Sequence, residues 1–469
     1  MGLWVWGNLS FGDFILPGPV QVLPRLLHHL SQISTWGVIL LTVSRAFLGF
    51  LMALGVGIPL GLLLGQFSLA RKAFQLPLIL LQAAPPLLWV IPLILITSMD
   101  STAPLWVAFL IVLPLVTLSI ADARRSLKPA LFLPFRLYAP GLRWVFGELV
   151  LPQLRPALQS ILTLGFVISF KSTLVGEWFG SQDGLGRWIN SYYYSYEMVD
   201  FYGLALLFIC LAALFAGFSQ FLARGFLREF SPSPPVKPLL NLEGFIQDLA
   251  PLNRPEQHLL MNNLGFGYPG RTLFQNFNLE VRAGQVLMIT GDSGVGKTTL
   301  AHLALGLLRA KEGTISAPAF PAAMFQEDAL LPQRDCLGNA ALAPLARGLD
   351  QPWTRAKEAL ELVGLGSVSG LFPHELSGGM KKRLTLARAL ASAPGFVVLD
   401  EPFSNLHKEA RDELWTLFFK LIPRRGIPAL IITHYPDELK DFTMEHLNLS
   451  RIFVNPLGDL PPSVIKSSV

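Results

Sequence analysis

The chain has 469 residues, room for two or three domains, and it is 52% hydrophobic but only 15% charged, with a mean hydropathy of +0.47. That is too apolar for an ordinary soluble enzyme, whose charged fraction is about 25%. Two cysteines, Cys210 and Cys336, cannot build a disulfide framework or a metal cluster, and a net charge of +5 means little until it is located.

Residues 1–35 are expected outside the membrane or at its surface. Their start, MGLWVWGNLSFGD, lacks the basic end, apolar core and small-residue site of a cleavable signal. Runs apolar enough to cross about 30 Å of hydrocarbon are predicted at 36–66, 76–97, 104–121, 157–175 and 203–222. Arg71 and Lys72 fill the first loop, and SMDSTA, the second, has no basic residue. The third carries Arg124, Arg125, Lys128, Arg136, Arg143 and Arg155, whereas the fourth sets Arg187 against Glu177, Asp183, Glu197 and Asp200. Basic loops alternate with non-basic ones, as orientation by cytoplasmic positive charge requires. Five spans then leave the N-terminus outside and everything after residue 228 inside.

Glycine and proline recur within the spans, among them Gly57, Gly61, Gly65, Pro85 and Pro86, and read as close helix packing or bends. Lys171, in LGFVISFKSTLVGEW, is a different matter, because a cation inside a span is costly. Either it lies near the outer helix end and snorkels to the interface, or it faces the pathway and attracts an anionic solute.

Residues 229–257 hold six prolines and no sustained helical period, so they are expected to be an extended spacer. The soluble domain is placed at 258–455 and a tail at 456–469. Within it, GDSGVGKTT follows the strand-like VLMIT and precedes the helix-like LAHLALGLL. This is G-x-x-x-x-G-K-[ST] in strand–loop–helix context, a phosphate cradle for ATP. Backbone N–H groups of Gly291, Asp292, Ser293, Gly294, Val295, Gly296 and Thr299 are expected to curl around the phosphates at a helix N-terminus. Lys297 neutralises their charge, and the Thr298 hydroxyl is a ligand for Mg²⁺. FVVLDE, 396–401, reads as a buried strand ending in two acids. Asp400 suits Mg²⁺ coordination and Glu401 suits activation of the attacking water.

The membrane half resembles a known family. FILPGPVQVLPRLL, LTVSRAFLGFLMALGVGIPLGLLLG and LQAAPPLLWVIPLIL are similar to the permease subunits of bacterial ABC importers, closest to the taurine, nitrate and sulfonate group, which includes some thiamine-precursor transporters. The later VLPQLRPALQSILTLGF and GEWFGSQDGLGRWI fit the same group, with Gly-Leu-Gly after the acidic Glu177. The chain departs from that pattern in two places. One membrane helix fewer precedes the matching region, and in the coupling loop Leu133 and Ala139 occupy the family's Glu and Gly positions. The loop helix is still expected to dock on the ATPase.

The soluble half resembles the matching ATP-binding cassettes across nearly all of 258–450. LSGGMKKRLTLARAL is similar to the ABC signature, which implies that Ser377, Gly378 and Gly379 serve the γ-phosphate held by a second subunit. Lys382 replaces a common glutamine there, a change given little weight. The resemblance also implies that Gln326 senses Mg²⁺ and meets the permease, that His434 contacts the γ-phosphate, and that Tyr268 stacks on adenine. In LDEPFSNLH, His407 stands where the family has an aspartate that couples the two nucleotide sites, so a working ATPase with altered dimer coupling is expected.

The fold class expected is multi-domain: an all-α polytopic membrane domain of about five transmembrane helices at 36–228, then an α/β P-loop NTPase of the ABC type. The resemblance implies ATP-driven import of a small solute, anionic if Lys171 faces its path, across the bacterial inner membrane, with the ATPase cytoplasmic. The implied partners are a second copy of the chain, an extracytoplasmic solute-binding protein and the lipid bilayer; no nucleic acid is expected. An exporter half-transporter and a non-transporting nucleotide-binding regulatory membrane protein remain the alternatives.

Overall fold

The structure is a computed structural model that describes residues 2–97, 102–226, 233–234, 258–403 and 406–450. Nearly all of the expected 229–257 spacer, and the whole 456–469 tail, lie outside the described residues. The chain divides into two compact units, 1–127 with 150–228, and 128–149 with 229–469. Residues 128–149, placed within the membrane domain by sequence, thus belong to the same compact unit as the ATPase.

The first unit is helical: α1 (Gly2–Phe11), α2 (Pro19–Ser31), α3 (Ile33–Gln66), α4 (Ser68–Ala83), α5 (Pro86–Thr97) and α6 (Ala103–Arg125). After α7 (Phe132–Tyr138), which belongs to the other unit, come α8 (Leu151–Ser160), α9 (Phe166–Gly180), α10 (Leu185–Tyr194) and α11 (Met198–Phe226). Among the described residues, four helical stretches are long and apolar enough to cross a membrane: Ile33–Gln66, Ala103–Arg125, Leu142–Gly180 and Met198–Phe221. The expected span at 76–97 is no straight helix. There α4 and α5 meet at 97°, so they make a fifth crossing only if the bent pair counts as one. Pro85 and Pro86 explain the bend, since each lacks an N–H and a proline pushes its predecessor out of helical geometry.

Glycine packing is confirmed where α3 lies on α6. A Cβ on Gly57 would come within 2.8 Å of Val116, and one on Gly61 within 2.6 Å of the Thr117 carbonyl. Small residues one turn apart let two backbones approach where lipid gives no hydrophobic drive. A π-helical turn, Ile161–Gly165, joins α8 to α9.

The second unit holds two sheets. β1 (Leu259–Tyr268), β2 (Arg271–Val281) and β4 (Glu312–Ser316) form an antiparallel sheet in the order β2-β1-β4. β3 (Val286–Thr290), β5 (Pro321–Met324), β6 (Phe396–Asp400), β7 (Ala429–Ile432) and β8 (Glu445–Asn448) form a parallel sheet ordered β5-β6-β7-β3-β8. β3, β6 and β7 are buried along their length and apolar up to the closing Thr290 of β3 and Asp400 of β6, as a parallel sheet covered on both faces requires. The helices that matter most for the site are α12 (Lys297–Ala304), α13 (Gly378–Ala391) and α14 (Lys408–Leu421).

Candidate functional site

Ligands of parallel α/β sheets gather beyond the carboxyl ends of the strands, and four adjacent strands deliver the expected residues there. β3 runs into the 291–296 loop, β5 leads to Gln326, β6 ends in Asp400 and Glu401, and β7 is followed by His434. With Tyr268 from the end of β1 they line a cavity of about 410 Å³. The loop can turn this tightly because Gly291, Gly294 and Gly296 have φ of 144°, 80° and 110°, values that side chains resist. Lys297 Nζ donates to the carbonyls of Gly291, at 2.7 Å, and Asp292, at 3.0 Å, which holds the ammonium over the loop. Burial pulls its pKa down, against the pull of Glu401 and Asp400.

Thr298 Oγ1 donates to Asp400 Oδ2 at 3.0 Å. Asp400 is 5% exposed, and burial raises its carboxyl to about 6 despite that bond. A buried carboxylate beside a hydroxyl is an all-oxygen donor set of the kind a hard divalent cation takes, so the residues fit Mg²⁺. Glu401 has φ 46°, a strained value for a residue with a side chain, and strain of this kind concentrates at functional sites. Its Oε1 lies 3.1 Å from His434 Nε2, and its Oε2 accepts from Gln326 Nε2 at 3.3 Å. Tyr268 is half-exposed, its hydroxyl 3.4 Å from Thr299 Oγ1.

Ser377, Gly378 and Gly379 are not brought to this cavity. Ser377 caps α13, its hydroxyl accepting from the Met380 N–H at 3.3 Å. His407 is exposed at the start of α14, and its side chain makes no capping bond.

Three features escaped the reading of the sequence. Arg271 lines the cavity and donates to the Gly294 carbonyl at 2.8 Å. Arg45, 5% exposed, reaches Glu177 Oε1 at 2.9 Å and Asp183 Oδ1 at 2.5 Å, while Glu177 Oε2 also accepts from Thr42 at 2.9 Å and the Gly186 N–H at 3.0 Å. That explains Gly-Leu-Gly after an acid: a Cβ on Gly186 would lie 2.4 Å from the Leu174 carbonyl. Lys171 is exposed on α9, and among the described residues no ion pair holds it.

The third is the set of contacts by which the 128–149 segment, expected to dock on the ATPase, does so. Glu148 grips Arg334 through both oxygens, at 2.9 and 2.5 Å, and Gln333 donates to the Glu148 carbonyl. Tyr138 is buried in the cassette core with the Arg347 guanidinium 5.0 Å from its ring centre. Leu131, Phe135 and Leu149 close a cluster with Leu331 and Leu342. Ala139, at the family's glycine position, ends α7 with φ 47° and ψ 48°.

Residues 274–404 match the ABC transporter family, and residues 57–228 match the binding-protein-dependent transport system inner membrane component. The aliphatic sulfonates import ATP-binding protein SsuB of Shigella flexneri serotype 5b (strain 8401) is 37% identical over 185 residues, 38% of this chain and 71% of that one. The taurine import ATP-binding protein TauB of Escherichia coli O157:H7 is 34% identical over 202 residues, 41% and 79% of the two chains. The chain belongs to the ABC transporter family. This ABC transporter carries an importer-type permease and its ATP-binding cassette on one polypeptide, and ATP hydrolysis by the cassette drives import. The transporter is embedded in the membrane by its permease half, with the ATPase cytoplasmic.

Proposed function

We propose that two copies of this chain form a complete importer in the bacterial inner membrane, fed with a small solute by a separate extracytoplasmic binding protein. Thr298 and Asp400, with Gln326 nearby, would hold a Mg²⁺ ion, which would supply charge neutralisation to the phosphates. Glu401, oriented by His434 and Gln326, positions and activates the water that attacks the γ-phosphate. The loop amides of 291–299 hold the phosphates, Lys297 leaves its two carbonyls to meet them, and Tyr268 stacks on the base. Ser377–Gly379 lie away from this cavity, which supports the view that they serve the nucleotide of the second copy. Closure of that shared sandwich moves residues 128–149 and thereby the permease.

The observation that carries the proposal is the convergence of Gln326 and His434 on Glu401 at the carboxyl edge of one sheet, at 3.3 and 3.1 Å. The sulfonate and taurine relatives are ATP-binding proteins, so their names support an anionic solute of that kind through the company they keep. The exporter and regulatory alternatives gain nothing from the matches, which are to import proteins. The test is phosphate release and solute uptake by the full chain in proteoliposomes, with candidate binding proteins added. Glu401→Gln should abolish both while ATP still binds; hydrolysis that survives it would overturn the assignment.

A further inference from the structure

Lys382 attracts little notice in the sequence, yet the residue is 8% exposed and its ammonium is engaged. Its Nζ donates to the Gln326 carbonyl at 3.0 Å and lies 3.0 Å from Asp328 Oδ1. A buried ammonium must find acceptors, and both of these lie on the segment that follows β5. A second cation of the same helix grips that segment further on. The fully buried Arg388 donates to the carbonyls of Asp328, at 3.0 Å, and Ala329, at 2.7 Å. Residues 326–329 are therefore fastened to α13 at both ends.

This fastening joins two ends of the machinery. Gln326 reaches Glu401 with its amide at 3.3 Å, in the cavity that takes the nucleotide of its own cassette under the proposed function. Ser377 caps α13, about 7.5 Å along the axis from Lys382 at 1.5 Å per residue, and under the proposed function that end faces the nucleotide of the other copy. His407, exposed and capping nothing, offers no fixed negative charge for the same task.

We propose that Lys382 is a positioning residue that locks Gln326 and Asp328 to the helix opening at Ser377, so that the Gln326–Glu401 contact and that helix end move as one body. Communication between the two nucleotide sites then runs through α13 and the 326–329 segment. The neutral glutamine common at this position is shorter and offers no charge to Asp328. The inference rests on the proposed roles of Gln326 and Glu401 in hydrolysis, with Lys382 acting through Gln326 and touching no nucleotide itself.

The test is steady-state hydrolysis by the full chain in lipid, comparing the parent, Glu401→Gln, Lys382→Met, Lys382→Arg and Asp328→Asn. Lys382→Met should lower kcat by about tenfold with KM for ATP changed less than about twofold, the signature of a lost interaction that acts after binding. Lys382→Arg, which keeps the charge and can reach both acceptors, should recover most of the loss. Asp328→Asn should give a smaller loss, and combining it with Lys382→Met should add nothing, since the two share one contact. Unchanged kcat in Lys382→Met overturns the inference. So does a loss that Arg fails to restore and that tracks a fall in thermal midpoint, because Lys382 would then be packing alone. Parent hydrolysis insensitive to Glu401→Gln would overturn the proposed function itself, whereas a normal Glu401→Gln result beside an inert Lys382→Met overturns only this inference.

Discussion

Thr298 donates to Asp400 across 3.0 Å, joining the first turn after the phosphate loop to the end of the strand that carries the acids. Burial pushes that carboxyl up to about 6, above its ordinary 3.8. The folded cassette thus holds this proton more tightly than the unfolded chain does. The stability it contributes is complete below about pH 4 and is lost as pH rises through about 6. At pH 7.5 the ionised group costs the empty cassette about 3 kcal/mol, taking about two pKa units at 1.36 kcal/mol each. Asp400→Asn should therefore raise the thermal midpoint of the nucleotide-free protein at pH 7.5, with a smaller gain at pH 5, while abolishing hydrolysis. Midpoints measured at both pH values check the sign, and a lower midpoint at pH 7.5 would refute it.

Glu148 and Arg334 form a two-pronged pair, partly shielded from water. Glu148→Lys should leave the cassette attached through the chain but cut solute-stimulated hydrolysis by about fivefold or more, since two cations then face each other. Adding Arg334→Glu should restore much of the response. The ratio of ATP consumed to solute imported reads the effect directly, and a ratio untouched by Glu148→Lys would dismiss the pair as a coupling contact.

Ala139 holds a left-handed conformation that a Cβ disfavours by about 1 kcal/mol. Exposed Ala→Gly changes within helices cost about that much; here the sign should reverse. Ala139→Gly should match or raise the thermal midpoint, and a drop of several degrees would show that the backbone carries no such strain.

Arg45 is the partner that makes the fully buried Glu177 tolerable. Arg45→Met strands the carboxylate and should destabilise the permease by about 3–5 kcal/mol. Arg45→Met with Glu177→Gln should recover part of that loss. Survival of monodisperse protein after heating in detergent compares the three, and equal survival of Arg45→Met and parent would rule out a structural role for the pair.

What was legible beforehand was local. The 291–299 loop and the Asp400–Glu401 strand end announce themselves because a few neighbouring residues suffice for their chemistry. The sheet order that sets Gln326, Glu401 and His434 side by side came only through family resemblance, as did the separation of Ser377 from the cavity. Arg45 sat unnoticed in LTVSRAF because its partners are 132 and 138 residues away. Glu148 and Arg334, 186 residues apart, were equally silent. The 76–97 run was apolar enough for one span, and hydropathy cannot show that Pro85 and Pro86 turn it through 97°. Lys382 was given little weight because burial, which gives a lysine its meaning, is not written in a helical signature.

The placement of residues 128–149 also bears on biosynthesis. The segment ends more than a hundred residues before β1 opens at Leu259, so it leaves the ribosome before any part of the cassette that it helps to bury. The nascent sheet then condenses around an apolar surface already present at the high local concentration that tethering gives. Leu331 and Leu342 have Leu131, Phe135 and Leu149, which cover them, already made on the same chain. A cassette translated from a separate message would have to keep that groove soluble until it found a permease, and this chain is relieved of that burden.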